Sequence, residues 1–276
     1  MRNSFPDDHT FDARPQVNLL YPNPKRPVDV GASSGGRRAC FIGGVFIGQQ
    51  SRSLTWQQVK DIGGGAARLR NRGDALVDGL QADNIHDGFQ FRSASPADPT
   101  SGDGWTFRNS FMTYIRDDCI ENDDLSSGTV SDVLWDGCFV GFSAARDGSQ
   151  PDQSGERIVF DHALIRLQEQ PADTSGGLDH GHLLKWHDFA PRPVIRDSVF
   201  YIEDNSAGTW PPGTVIENTV LVWDGVGSPP SLTPMPGLTI TTDVSVWEAA
   251  KQDWLSRHGC SGFGNCSRLN GPIPPS

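Results

Sequence analysis

The sequence IRDDCIENDD, Ile115 to Asp124, carries five carboxylates in ten residues: Asp117, Asp118, Glu121, Asp123 and Asp124. Ile115, Cys119 and Ile120 stand among them and favour burial. Such a mixture is either a solvated turn or a segment whose carboxylates face a ligand. Its relatives elsewhere in the chain discriminate between the two.

RDDCIEN (116–122) aligns with WDGCFVG (135–141), placing Asp117 over Asp136 and Cys119 over Cys138. HDGFQF (86–91) fits the same frame with Asp87 over Asp117, and WDGVG (223–227) repeats it. Before each site runs a β-branched or aromatic stretch of alternating polarity, such as TFRNSFMTYI, RIVFDHALIRL, PVIRDSVFYIE and TVIENTVLVW. These share a core of apolar residue, any residue, Asp or Asn, a small or branched residue, then an apolar one. Period-two alternation rich in Val, Ile, Phe and Thr signals strands. Short strands recurring with Asp, Asn and Gly between them indicate a solenoid whose coils stack to bury their apolar faces. A sandwich or barrel also has strands at regular spacing. It leaves unexplained why Asp-Gly or Asp-Asp recurs at matching positions. The expected fold is all-β, a right-handed parallel β-helix over residues 37–245.

The ends differ in composition. Residues 1–36 are polar and Pro-rich and read as an extended arm. VWEAAKQDWLSR (246–257) has helical periodicity, with Val246, Ala249, Ala250 and Trp254 on one face. It predicts a short C-terminal capping helix within the segment 246–276. SLTWQQVKDI (53–62) reads as a second short helix. The whole is expected to be one domain of 276 residues.

The formal net charge of −11 argues against nucleic acid as a partner. No run approaches the ~20 apolar residues of a membrane span. Cys260 and Cys266 flank CSGFGNC, a candidate disulfide loop, and five cysteines leave at least one free thiol. Cys119 and Cys138 are expected to stack as small buried apolar residues in adjacent coils, a disulfide between them being geometrically marginal at ladder spacing. The expected compartment is extracellular or periplasmic, with any leader removed, although MRNSFPDDHT itself has no apolar leader. Oligomeric state is left open.

The coil pattern resembles the right-handed parallel β-helix superfamily that includes pectate lyases and polygalacturonases. NIHDG is similar to the polygalacturonase-like Asn-Thr-Asp-Gly motif and puts Asp87 at its aspartate. Asp117, Asp118 and Cys119 match the Asp-Asp-Cys motif, and DHGH loosely matches Gly-His-Gly through His180 or His182. The Arg-x-Lys motif has no counterpart. The resemblance implies a glycan substrate, with cleavage by a distant relative rather than a true polygalacturonase.

Glycoside cleavage needs two carboxylates in different protonation states. Coils about 4.8 Å apart would stack Asp87, Asp117 and Asp136 as a ladder, and like charges there raise one pKa. Carboxylates two coils apart would stand roughly 9.6 Å from each other. Asp-Gly and Asp-Asp are also ordinary turn chemistry. Asp118 departs from that, because Gly88 and Gly137 occupy the aligned positions. The candidate catalytic residues are Asp117, Asp118, Asp87 and His182. Candidate substrate contacts are Arg116, Asp136, Lys185, Trp186 and His187, several of them from DHGHLLKWHDF (179–189). No cofactor is required in this reading. The alternative is a calcium-assisted lyase of an acidic glycan, with Asp117, Glu121, Asp123 and Asp124 as ligands and a Lys, Arg or His base for which Arg116 and Lys185 are available. A non-catalytic glycan-binding β-helix is the third reading.

Overall fold

The computed structural model describes residues 6–14, 17–20, 28–30, 36–93, 99–145, 150–173, 176–203, 207–223, 232 and 234–269. WDGVG beyond Trp223 and most of the Pro-rich segment lie outside them. Among the described residues, 19 strands form one sheet in which every strand pairing is parallel.

The pairings sort into three ladders. The first stacks Thr10–Asp12, Cys40–Ile42, Leu76–Asp78 and Trp105–Arg108 on the starts of Gly128–Ala144 and Arg157–Leu167, then Arg192–Arg196 and Val215–Glu217. The second runs from Val17–Leu20 through Val45–Gly48, Gln81–Asp83 and the start of Phe111–Glu121 to Val199–Ile202, Thr219–Trp223 and Leu238–Thr241. The third holds Val28–Val30, Gly65–Asn71, Asp87–Ser93, the end of Phe111–Glu121, the end of Gly128–Ala144 and Leu184–Trp186. A chain that visits three parallel faces in turn is a parallel β-helix.

The recurring Asp/Asn core marks the corner between the first two faces. Asn109, Asp132, His162, Asp197 and Asn218 all have φ between 41° and 53°, and Gly43 and Gly79 occupy the corner in earlier coils. Asn, Asp and Gly tolerate the left-handed region that reverses the chain there. Inside the tube, aromatic rings pack coil on coil. Phe91 stacks on Trp105 at 4.5 Å, and Phe142 meets Phe160 at 5.3 Å.

Three expectations change. Within residues 1–36, read as an arm, the strands Thr10–Asp12, Val17–Leu20 and Val28–Val30 each pair with a strand of the next coil. The helix Ser245–Arg257 is present, and it lies along the flank of the tube. Its Trp247 and Trp254 are fully buried in a cluster with Phe111, Leu134, Leu164, Tyr201 and Val222, the outward side chains of successive coils of the second ladder. Trp247 belongs to the buried face, which Val246 and Ala250 only border. Lastly, Cys119 and Cys138 are joined by a disulfide with Cα atoms 5.8 Å apart. They are not opposite each other, since Cys138 faces Ile115 and a register shift follows before Asp118. The diagonal offset brings their side chains together within ordinary disulfide reach. Cys260 and Cys266 form the second disulfide, leaving Cys40 as the free thiol.

Candidate active site

The third face begins where two strands leave a tight corner. Tyr114, at φ 50°, turns the long strand Phe111–Glu121 from the second face to the third. A bulky residue is uncommon in that conformation. Here Tyr114 is held by a hydrogen bond from its hydroxyl to Arg52 O (3.1 Å) and by the Arg52 guanidinium 4.4 Å over its ring. In the next coil Gly137 takes the corner at φ 114°, and a Cβ there would lie 3.1 Å from Tyr114 N. Gly137 is thus the counterpart of Tyr114 rather than of Asp118. Gly88 is small for another reason: a Cβ there would lie 2.3 Å from Cys119 O.

Immediately after the corner, Asp117 N donates to His86 O at 2.8 Å. Ile120 and Glu121 then pair with Phe89 and Gln90. Continued back two residues, this register sets Asp118 level with Asp87. The result is a buried group: Asp87 and Asp118 are each 2% exposed and Asp117 8%. Asp87 lies in a strand, so the turn reading does not hold for it.

His86 joins two of these carboxylates. Its Nδ1 is 3.1 Å from Asp87 Oδ1 and its Nε2 is 3.3 Å from Asp117 Oδ2. Gln90 Nε2 donates to Asp87 Oδ2 at 2.8 Å and also to Glu121. Lys185 reaches the site along one row of the ladder. Gln90, Glu121, Ser143 and Lys185 occupy the same position in successive rungs. Across the rung where Ser143 is small, the Lys185 Nζ comes within 3.6 Å of Asp118 Oδ2.

Burial, together with the Asp117 charge, raises the Asp118 pKa well above the ordinary carboxylate value, and Lys185 opposes this. Burial and the Asp87 charge also raise Asp117, against the lowering effect of His86. For His86, burial disfavours the charged form. The hydrogen bond to Asp87 and the charges of Asp87, Asp117 and Glu121 outweigh it and raise the pKa. Lys185 is affected likewise: burial lowers its pKa, but Asp118 and Asp117 raise it overall.

Of the residues expected at the site, Asp87, Asp117, Asp118 and Lys185 are together. Asp136 is not. It faces Thr113, and its carboxylate pairs with Arg166 at 2.8 Å and with Lys251 of the flanking helix at 2.6 Å. The expected ladder of Asp87, Asp117 and Asp136 therefore loses its last member, and carboxylate oxygens of Asp87, Asp118 and Glu121 lie within 4.8 Å of one another instead. Arg116 is 1% exposed and donates to Leu54 O, so it holds the loop before the first helix and is closed to a substrate. Trp186 is half-buried, packs its ring against Phe142 at 5.7 Å and donates to Pro191 O. His187 Nδ1 accepts from Phe189 N in a local turn. His182 is exposed, and its pKa is lowered by burial of part of the ring and by Lys185 and His180. His180 is buried, with Nδ1 2.9 Å from Gly181 O.

The calcium set does not assemble. Glu121 and Asp124 both pair with Arg92, and Asp123 accepts from Ser143 Oγ and Ala145 N. Asp117 belongs instead to the triad with His86 and Asp87, whose donor atoms lie within 4.8 Å of one another.

Sequence reading missed His86, Gln90 and Trp56. His86 was visible as the neighbour of Asp87 in NIHDG. Trp56 begins the helix Trp56–Ile62, which Thr55 and Gln58 cap reciprocally. Its ring stacks on Phe139 at 6.3 Å and its side chain helps to hold down the Asp117 pKa. Asp173 accepts from Gln57 N and ties the loop after Gln170–Pro171 to this helix. The helix thus sits beside Asp117 through Trp56.

No known protein family, curated protein or solved structure matches the chain. The fold and site define a class: a parallel β-helix with a buried Asp/Glu/His cluster suited to acid–base or metal-assisted chemistry. No helix among the described residues is long and apolar enough to cross a membrane.

Proposed function

We propose that the protein cleaves a polysaccharide by acid–base catalysis, with Asp118 as proton donor and Asp117 as the second carboxylate. One observation carries this reading. Asp118 is buried beside two further carboxylates, conditions that keep a carboxylic acid protonated where an ordinary one is ionised. Asp117, the most exposed of the three, is placed to work on the solvent side, either on a water or on the sugar itself. His86 and Gln90 fix Asp87, and the Lys185 ammonium faces Asp118 across the neighbouring rung.

Lys185 favours hydrolysis over a lysine-based lyase reaction, since its neighbours hold it protonated and a lyase base must be neutral. The two disulfides favour an oxidising compartment, in keeping with an exported glycan-degrading protein. The test is a panel of neutral and acidic polysaccharides assayed for new reducing ends and for unsaturated products absorbing in the near ultraviolet. New reducing ends without that absorbance are expected. Absorbing products would move the reading to a lyase, and binding without turnover would move it to a glycan-binding module.

A further inference from the structure

His86 stands between two carboxylates, and its Nε2 is hydrogen-bonded to neither. Nδ1 lies 3.1 Å from Asp87 Oδ1, which fixes the N–H on that nitrogen and leaves the Nε2 lone pair free. In the neutral ring, the form that binds a metal, Nε2 is an acceptor that faces Asp117 Oδ2 at 3.3 Å. Nε2 is buried and has no aligned hydrogen-bond partner. A proton placed there would not point at the Asp117 oxygen. Asp118 Oδ1 and Gln90 Oε1, on residues 2% and 1% exposed, also lack a hydrogen-bond partner, and Asp118 shares Asp87 as a neighbour with His86. Leaving a buried Nε2 lone pair unsatisfied is costly, and a ligand between it and Asp117 would satisfy it.

We infer that His86 Nε2 and Asp117 bind a first-row divalent metal ion, with Asp87 as the carboxylate that orients the imidazole. The separation fits. Metal bonds of about 2.0–2.2 Å at a tetrahedral angle put two ligands about 3.3–3.5 Å apart. An imidazole donor selects zinc, cobalt or a similar ion over calcium, which takes oxygen ligands. Charge fits as well. Asp87, Asp117, Asp118 and Glu121 crowd together, Lys185 answers Asp118, and Arg92 is shared between Glu121 and Asp124. Two protein ligands leave two further tetrahedral positions to water or a substrate oxygen, one more than in the usual three-ligand catalytic site. The site does not depend on which bond the protein cleaves. A second His-containing cluster, Asp161, His162 and Asp197, lacks these features. It is half-buried to exposed, and Arg196 and Asn218 already donate to its carboxylates.

The test is equilibrium dialysis of the chelator-treated full chain against Zn²⁺, with Co²⁺ titration followed by its visible ligand-field bands. One equivalent of Zn²⁺ is expected, with Co²⁺ bands of tetrahedral intensity. His86→Gln and Asp117→Asn should lose both, and Asp87→Asn should weaken binding about 10–100-fold, as loss of an orienting partner does. His162→Ala should bind as the parent does. Circular dichroism checks that each variant is folded, and the parent titration stands without any variant. Absence of stoichiometric Zn²⁺ and Co²⁺ uptake by the folded parent overturns the site. Uptake that survives His86→Gln, or Ca²⁺ displacing Zn²⁺ on equal terms, overturns it too.

Discussion

The Lys185 ammonium lies 3.6 Å from Asp118 Oδ2, joining residues 67 positions apart across an intervening rung of the third ladder. Asp118 is almost wholly buried, whereas the Lys185 side chain is 41% exposed, so the lysine can return to water if its partner loses charge. Asp118→Asn should lower turnover by roughly 10²–10⁴-fold, the usual worth of a positioned proton donor. It should also raise stability at neutral pH. A carboxyl group whose folded pKa lies above its unfolded value contributes stability below the unfolded pKa and loses it as pH rises through the folded one. Asparagine removes that loss. Denaturant melts at neutral and acidic pH check the sign: the gain should be present at neutral pH and vanish in acid.

The same pair sets a pH profile. Activity requires Asp118 protonated, so the alkaline limb follows its raised pKa, and the acid limb follows the raised pKa of Asp117. Both limbs should lie above the ordinary carboxylate range. Because Lys185 lowers the Asp118 pKa, Lys185→Ala should move the alkaline limb to higher pH. A profile of kcat/KM against pH for both proteins decides it, and a limb that stays in place removes Lys185 from the site.

What was legible in the sequence follows from which constraints are local. The left-handed corner admits few residue types, so Asn109, Asp132, Asp197 and Asn218 stood out as a recurring motif. The alignment through Cys119 and Cys138 gave the right neighbours and the wrong register. Gly88 and Gly137 looked alike, but one yields to a carbonyl and the other turns a corner. A slip along the strand carried Asp136 into the predicted ladder, although its partners are Arg166 and Lys251. Asp118 stood out because Gly88 and Gly137 were aligned with it, a reason that the register removes, and its burial beside Asp87 and Asp117 comes from the stacking of coils. Gln90 and Trp56 were not legible, since their roles arise only when coils and the helix Trp56–Ile62 come together.

The disulfide between Cys119 and Cys138 closes a loop of 19 residues beside the site. Constraint of the unfolded chain by a loop near this length is worth about 3 kcal/mol. The double variant Cys119→Ala/Cys138→Ala should melt about 6–12 °C lower, from that figure and the usual entropy of a chain of this size. Thermal melts of parent and variant, with and without reductant, test this. Reductant should lower the parent more than the variant, which retains only the Cys260–Cys266 bridge.

Asp136 and Asp118 should dissociate function from stability. Asp136 aligned with the catalytic carboxylates in sequence, yet its oxygens are held by Arg166 and Lys251 under the flanking helix. Asp136→Asn removes the charge that satisfies two cations in a partly buried network that also includes Glu203. Charge-assisted hydrogen bonds of this kind contribute about 1.5–3 kcal/mol. The variant should therefore lose roughly that much stability and retain parental kcat and KM. Asp118→Asn should do the reverse, losing activity and gaining stability at neutral pH. Paired denaturant melts and steady-state kinetics on the two variants measure both quantities at once. If Asp136→Asn loses activity while remaining folded, the working carboxylates extend to the second face of the tube, and the assignment to Asp117 and Asp118 falls.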